Sequence, residues 1–290
     1  MTLTIKINLA LSVVFLAGLV TTGYVSNAIL KDNAKREVIT QAGMMMESAL
    51  AARAYTINEI KPLLVNQLGE KFLPQSVPSY AATQEFNRLR ENHPEYAYKE
   101  ATLNPTNPRD RSTDWESDII EQFRNSTERT EIIGERDTPT GPSLYLARPI
   151  RIKNPECLSC HGVPGDAPDT MKALYGTANG FGWQPNEVVG SQIVSVPLSV
   201  PFEKANYAFR VFMISQVATF AVIFIVVNIA LRLIIIRPVR KMAAIADQVS
   251  SGDLAVPEFR SDGKDEIAQL GHSFNRMRRS VEKAIEMMKR

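Results

Sequence analysis

Apolar positions fall into two unbroken blocks and, between and after them, into periodic stripes. Residues 7–30 run 24 positions without a charge, between Lys6 and Lys31. Residues 211–231 run 21 more, between Arg210 and Arg232. About 20 apolar residues carry a helix across a bilayer, so transmembrane helices are predicted over 7–30 and 210–236. For the first block a cleaved signal peptide stays open, since Ser26 and Ala28 make a small-x-small site; the block is long for one.

The 180 residues between the blocks change period several times. A helix is predicted to run on from the first block over 32–64. A Pro-containing stretch at 72–77 and a short helix at 81–90 follow. Residues 96–103 alternate and read as a strand. Residues 104–108, Asn-Pro-Thr-Asn-Pro, read as a loop. Trp115, Ile119, Ile120 and Phe123 recur at helical spacing. Residues 128–135 and 143–152 read as a hairpin around 138–142, and 188–198 as a last strand. The expected class is α+β, with antiparallel strands between two membrane helices.

The 59 residues after the second block carry a different pattern. Pro238 stands at the membrane exit, where its missing N–H would be unpaired anyway. Met242, Ile245 and Val249 follow at spacings of three and four. Gly252, Asp253 and Leu254 break the helix, and Asp265-Glu266-Ile267 opens another. Ile267, Leu270, Phe274, Met277, Val281 and Ala284 then repeat as an a/d seam. Two such helices cannot bury their seams alone, so a homodimer is expected. The segment resembles a HAMP linker over 237–290. That resemblance implies relay of displacement from membrane helices to an output partner, here a separate cytoplasmic signalling protein contacting 281–290.

Composition changes this picture little. Thirty-three Lys+Arg against 31 Asp+Glu give a net charge of +2. That excludes a strongly basic nucleic-acid binder. Two cysteines exclude a disulfide-dense scaffold. Those two cysteines carry the chemistry. Cys157-Leu158-Ser159-Cys160-His161 is the attachment pattern of a c-type haem. Two thiols bond the two vinyl groups, and the next residue, His161, becomes the iron ligand. A thioredoxin-type pair leaves His161 unexplained. A zinc site lacks ligands, because only His93 and His272 remain. A disulfide would close a poor three-residue loop.

Further stretches carry a resemblance: Ala51 to Thr56, Phe72 to Val77, Tyr98 to Asn104, Cys157 to His161 and Tyr175 to Trp183. They resemble the haem-c sensor domains of PAS-like fold in bacterial membrane proteins. The likeness spans roughly residues 40–200, about half of the chain. It implies one covalent haem c on a PAS-like sheet flanked by an N-terminal helix. In some relatives a cysteine supplies the second axial ligand; no third cysteine exists here. Met44, Met45, Met46, His93, Met171 or no side chain at all could fill that position. With it open, Arg53 and Tyr55 could donate hydrogen bonds to a bound ligand; otherwise they form a salt bridge and a packed ring.

Lys and Arg at the flanks tie at five against five, so the positive-inside rule does not orient the chain. Haem attachment of this kind takes place outside the cytoplasm. Residues 31–209 are therefore expected in the periplasm, with 1–6 and 237–290 in the cytoplasm of a bacterial inner-membrane protein. No catalysis is expected in the chain. The expected function is sensing of redox state or a small gas; a rival is a membrane-anchored electron-transfer cytochrome, which does not need the HAMP segment.

Overall fold

The computed structural model describes residues 2–138, 141–253, 255–260 and 263–288. Helix α1 spans Leu3–Tyr55 and is followed by a π-helical turn, Thr56–Ile60, and by α2, Lys61–Leu68. Helix α3 is Pro78–Asn92, strand β1 Ala97–Thr102 and helix α4 Asp114–Asn125. The hairpin strands β2 and β3 are Ile132–Thr138 and Gly141–Arg151. Short helices α5, Leu158–His161, and α6, Asp169–Tyr175, precede β4, Val188–Pro197. Helix α7 is Ser199–Ala230, followed by a π-helical turn Leu231–Ile236, α8 Arg237–Ser250 and α9 Glu266–Met288.

Contacts divide the chain into two units, Ser26–Phe209 and the combination of Met1–Val25 with Arg210–Arg290. In the first unit the strands form one antiparallel sheet, ordered β1-β4-β3-β2. Successive strand side chains point to opposite faces, and here both faces are covered. Leu144, Leu146, Val194 and Val196 point to one face, where Val38, Ala42, Met46 and Ala49 of α1 and Phe86 of α3 meet them. Ala147 and Ile193 point to the other, against Ile119, Ile120 and Phe123 of α4. Helix α4 opens with a capping box between Thr113 and Glu116. With both faces covered, β4 is buried along nearly its whole length, the polar Ser191 and Gln192 included.

Three expectations shift. Helix α3 begins at Pro78, three residues before the expected start, because Pro is tolerated at a helix start. The first hairpin strand begins at Ile132 rather than 128; its residues Gly134, Glu135 and Asp137 are poor strand formers, and pairing with β3 holds them extended. Pro139 and Thr140 of the expected turn lie outside the described residues. The short helices α5 and α6 were not expected.

The second unit contains the second apolar block and residues 7–25 of the first. Both belong to helices long and apolar enough to cross a membrane. Phe15 stacks on Phe220 with ring centres 5.0 Å apart and meets Phe224 edge-on. Beyond Arg237, Met242 and Ile245 of α8 are buried with Phe259 of the connector, and Val249, Val256, Ile267 and Phe274 pack around them. Asn275 of α9 fastens the connector: its amide donates to the Phe259 carbonyl at 2.8 Å and accepts from the Phe259 N–H at 3.1 Å. Leu254, the last residue of the expected helix break, lies outside the described residues, as do Lys289 and Arg290 of the expected partner contact.

Candidate functional site

Cys157, Cys160 and His161 sit in the crossover from β3 to β4. All three line one cleft of about 300 Å³. Asn154 starts the motif by accepting the Glu156 N–H at 2.9 Å, and the chain then turns through α5. Both thiols are free and half-buried. Burial pushes the Cys157 thiol above its ordinary value, while Arg53 and Lys61 oppose that shift.

The segment from Tyr175 to Trp183 wraps His161. His161 Nδ1 donates to the Gly180 carbonyl at 2.8 Å. Trp183 stacks on the imidazole at 4.0 Å, and the Trp183 backbone N–H donates to the His161 carbonyl at 3.1 Å. Gly180 is held in turn by Asn104, whose side-chain oxygen accepts the Gly180 N–H at 3.1 Å. Gly180 has φ +81°, and a Cβ there would collide with Thr106, so this position requires glycine. Burial lowers the His161 pKa, partly offset by the Gly180 bond. The imidazole is therefore held neutral, with its proton on Nδ1 and its lone pair on Nε2.

These residues fit a c-type haem. Two free thiols at the required spacing share a cleft with a neutral imidazole. Its other nitrogen is spent on a backbone carbonyl, the usual way of orienting a metal-ligating histidine. The cleft wall is mostly apolar beyond the motif, with Ile57, Leu68, Phe72, Val77 and Ile152 among its residues.

The candidates for a second axial ligand separate clearly. Met171 lines the cleft and is buried. Met44, Met45, Met46 and His93 do not line it. Met46 and Met45 fill the core between α1 and the sheet, and Met44 is exposed. His93 stands at the surface beside Glu95 and Tyr96. Met45 and Met46 are thus packing residues. Of the two expected distal donors, Tyr55 is exposed and outside the cleft wall. Arg53 lines the cleft, but its guanidinium is ion-paired to Glu100.

Sequence reading missed Glu100, Asn104 and Gly180 as site residues. The Asn104 and Gly180 stretches stood out only through resemblance. Their signal is chemical: an Asx side chain and a positive-φ glycine, brought together across 76 positions by the fold.

Comparison with known proteins finds two family matches along the chain. The Tll0287-like family matches residues 31–197. The HAMP domain matches residues 230–283. No curated protein matches. Among solved structures, the crystal structure of the cyanobacterial heme-protein Tll0287 matches 56% of this chain and 95% of its own, at 16% identity and a TM-score of 0.44.

Proposed function

The chain belongs to the Tll0287-like family, and on that premise we propose that it is a two-pass membrane sensor carrying one covalent haem c. Cys157 and Cys160 form thioether bonds to the group, and His161 Nε2 ligates its iron. The single observation that carries this reading is the convergence of both thiols and a Gly180-oriented imidazole on one cleft. When bound, the haem supplies a one-electron couple and an iron that can take a small gas. Trp183 and Gly180 hold His161 fixed.

The haem domain is periplasmic in this reading, because such attachment takes place outside the cytoplasm, and the HAMP domain is cytoplasmic. Helix α1 carries both the first apolar block and one residue of the cleft wall, Arg53. Displacement of α1 or α7 would repack α8 and α9 between two arrangements. A second copy of the chain completes that bundle, and a separate cytoplasmic protein reads its state. The HAMP domain favours this reading over an anchored electron-transfer cytochrome, which has no use for one.

The visible spectrum of the reduced full chain, before and after carbon monoxide, tests the proposal. An immediate shift means an open iron and favours a gas as stimulus. A low-spin spectrum indifferent to the gas means a sixth protein ligand and favours redox sensing or electron transfer, with Met171 as the side chain to replace first. A chain produced with haem-attachment machinery that shows no Soret band would overturn the reading.

A further inference from the structure

The core stripe of α1 continues into the cleft. Ala34, Val38, Ala42, Met46 and Ala49 are buried at spacings of three and four. The next positions in that series, Arg53, Ile57 and Lys61, line the cleft. Helical residues three and four apart share a face, so one face of one continuous path first packs the sheet and then walls the site.

Arg53 brings a charge onto that wall. Its guanidinium is ion-paired to Glu100 of β1, with the two side chains 22% and 6% exposed. The other Glu100 oxygen accepts from the Tyr98 hydroxyl at 2.8 Å, and Gln192 of β4 reaches that hydroxyl at 3.5 Å. Asp110, also on the cleft wall, feels the Glu100 charge. Immediately beyond Arg53 the helix leaves α geometry for the π-helical turn Thr56–Ile60. Such turns inside helices occur frequently at functional sites.

We propose that Arg53 and Glu100 form a positioning pair that converts the charge state of a haem in the cleft into a shift at the junction of α1 and the π-helical turn. The inference rests on the proposed haem attachment. A one-electron donor outside the chain reduces the ferric group by one electron, and the cleft loses one positive charge. No covalent bond changes and no proton leaves the pair. The extra positive charge of the oxidised form repels Arg53 and attracts Glu100. Oxidation therefore pulls α1 and β1 in opposite senses at one contact. The force is largest where water is excluded, as it is around Glu100.

The test is hydrogen–deuterium exchange of the full haem-loaded chain in lipid nanodiscs, oxidised with ferricyanide or reduced with dithionite. In the wild type, exchange across residues 53–61 should differ several-fold between the two states. Arg53→Gln and Glu100→Gln should each abolish that difference while the covalent haem and its Soret band persist. Arg53→Lys keeps the charge without the guanidinium fork and should restore most of it. A difference of wild-type size in both glutamine variants would overturn the inference, as would a wild-type difference confined to other segments. Loss of haem attachment in both glutamine variants, or a lysine variant no better than glutamine, would make the pair merely structural. A wild-type chain that takes no haem overturns the proposed function and this inference together; failure confined to the variants overturns this inference alone.

Discussion

The sheet domain and the C-terminal helices dispose of their apolar positions differently. In the sheet domain each face finds its cover within the same chain: α1 and α3 on one side, α4 on the other. In α9 only part of the seam is covered. Ile267 and Phe274 pack toward α8 and the connector, whereas Leu270 is 51%, Met277 58% and Val281 41% exposed. These residues repeat at a/d spacing, so the open positions form a line rather than scattered points. A domain that completes its core alone can hold a cofactor in a fixed frame. A pair of helices with an open seam depends on what lies against it, which is the property a relay needs.

The largest effect separating the two regions is expected from Phe123→Ala. Phe123 is fully buried under the sheet, and such a truncation costs about 3–5 kcal/mol. Chemical denaturation should show the sheet domain destabilised by that amount, with association of the C-terminal helices unchanged. If both regions lost stability together, they would form one cooperative unit and the contrast would fail.

Leu270→Glu is the complementary change. A leucine buried in a dimer seam contributes about 1.5–3 kcal/mol, roughly ten- to a hundred-fold in a dissociation constant. Analytical ultracentrifugation in detergent should show a weaker dimer, while the midpoint of the sheet domain holds. An unchanged self-association would contradict the paired seam.

A smaller effect is expected at the cleft. Burial, reinforced by the Glu100 charge, raises the Asp110 pKa above its ordinary 3.8, while Arg109 and Lys99 oppose the shift. The folded state therefore binds this proton more tightly than the unfolded chain. Stability is lost at Asp110 as pH rises from about 3.8 through the folded pKa. Asp110→Asn removes that loss. Its melting temperature should exceed the wild type's near neutral pH and match it at the acid end of the window. Equal midpoints at neutral pH would remove Asp110 from the account.

Much of the sheet domain was legible in the sequence, for physical reasons. Ile119, Ile120 and Phe123 betray α4 because a helix on a sheet buries one stripe. The long polar-apolar helix after the first block was legible for the same reason. The Cys157–His161 motif stands out because covalent attachment and ligation of a haem would demand that fixed spacing, and the structure brings its two thiols and imidazole to one cleft. What escaped depends on contacts distant in sequence. Arg53 as an unpaired donor differs from Arg53 in a buried ion pair only through Glu100, 47 positions away. The methionine run looked like a ligand source because thioethers both pack and ligate; the fold places Met46 in the core. Asn275 carries no sequence mark as the clamp on Phe259, since a helical asparagine is ordinarily solvated. Leu270, Met277 and Val281 were legible as a seam, but only the structure separates them from the half of α9 that α8 and the connector cover.

The proposed sensing rests on covalent attachment of a haem at Cys157 and Cys160 with His161 on its iron. The most direct measurement is in-gel haem detection on the full chain, produced with attachment machinery, separated under denaturing conditions, and compared with Cys157→Ala plus Cys160→Ala. Haem should migrate with the denatured wild-type chain and be absent from the double variant. A wild-type band without haem, or a double variant that retains it, would contradict the account.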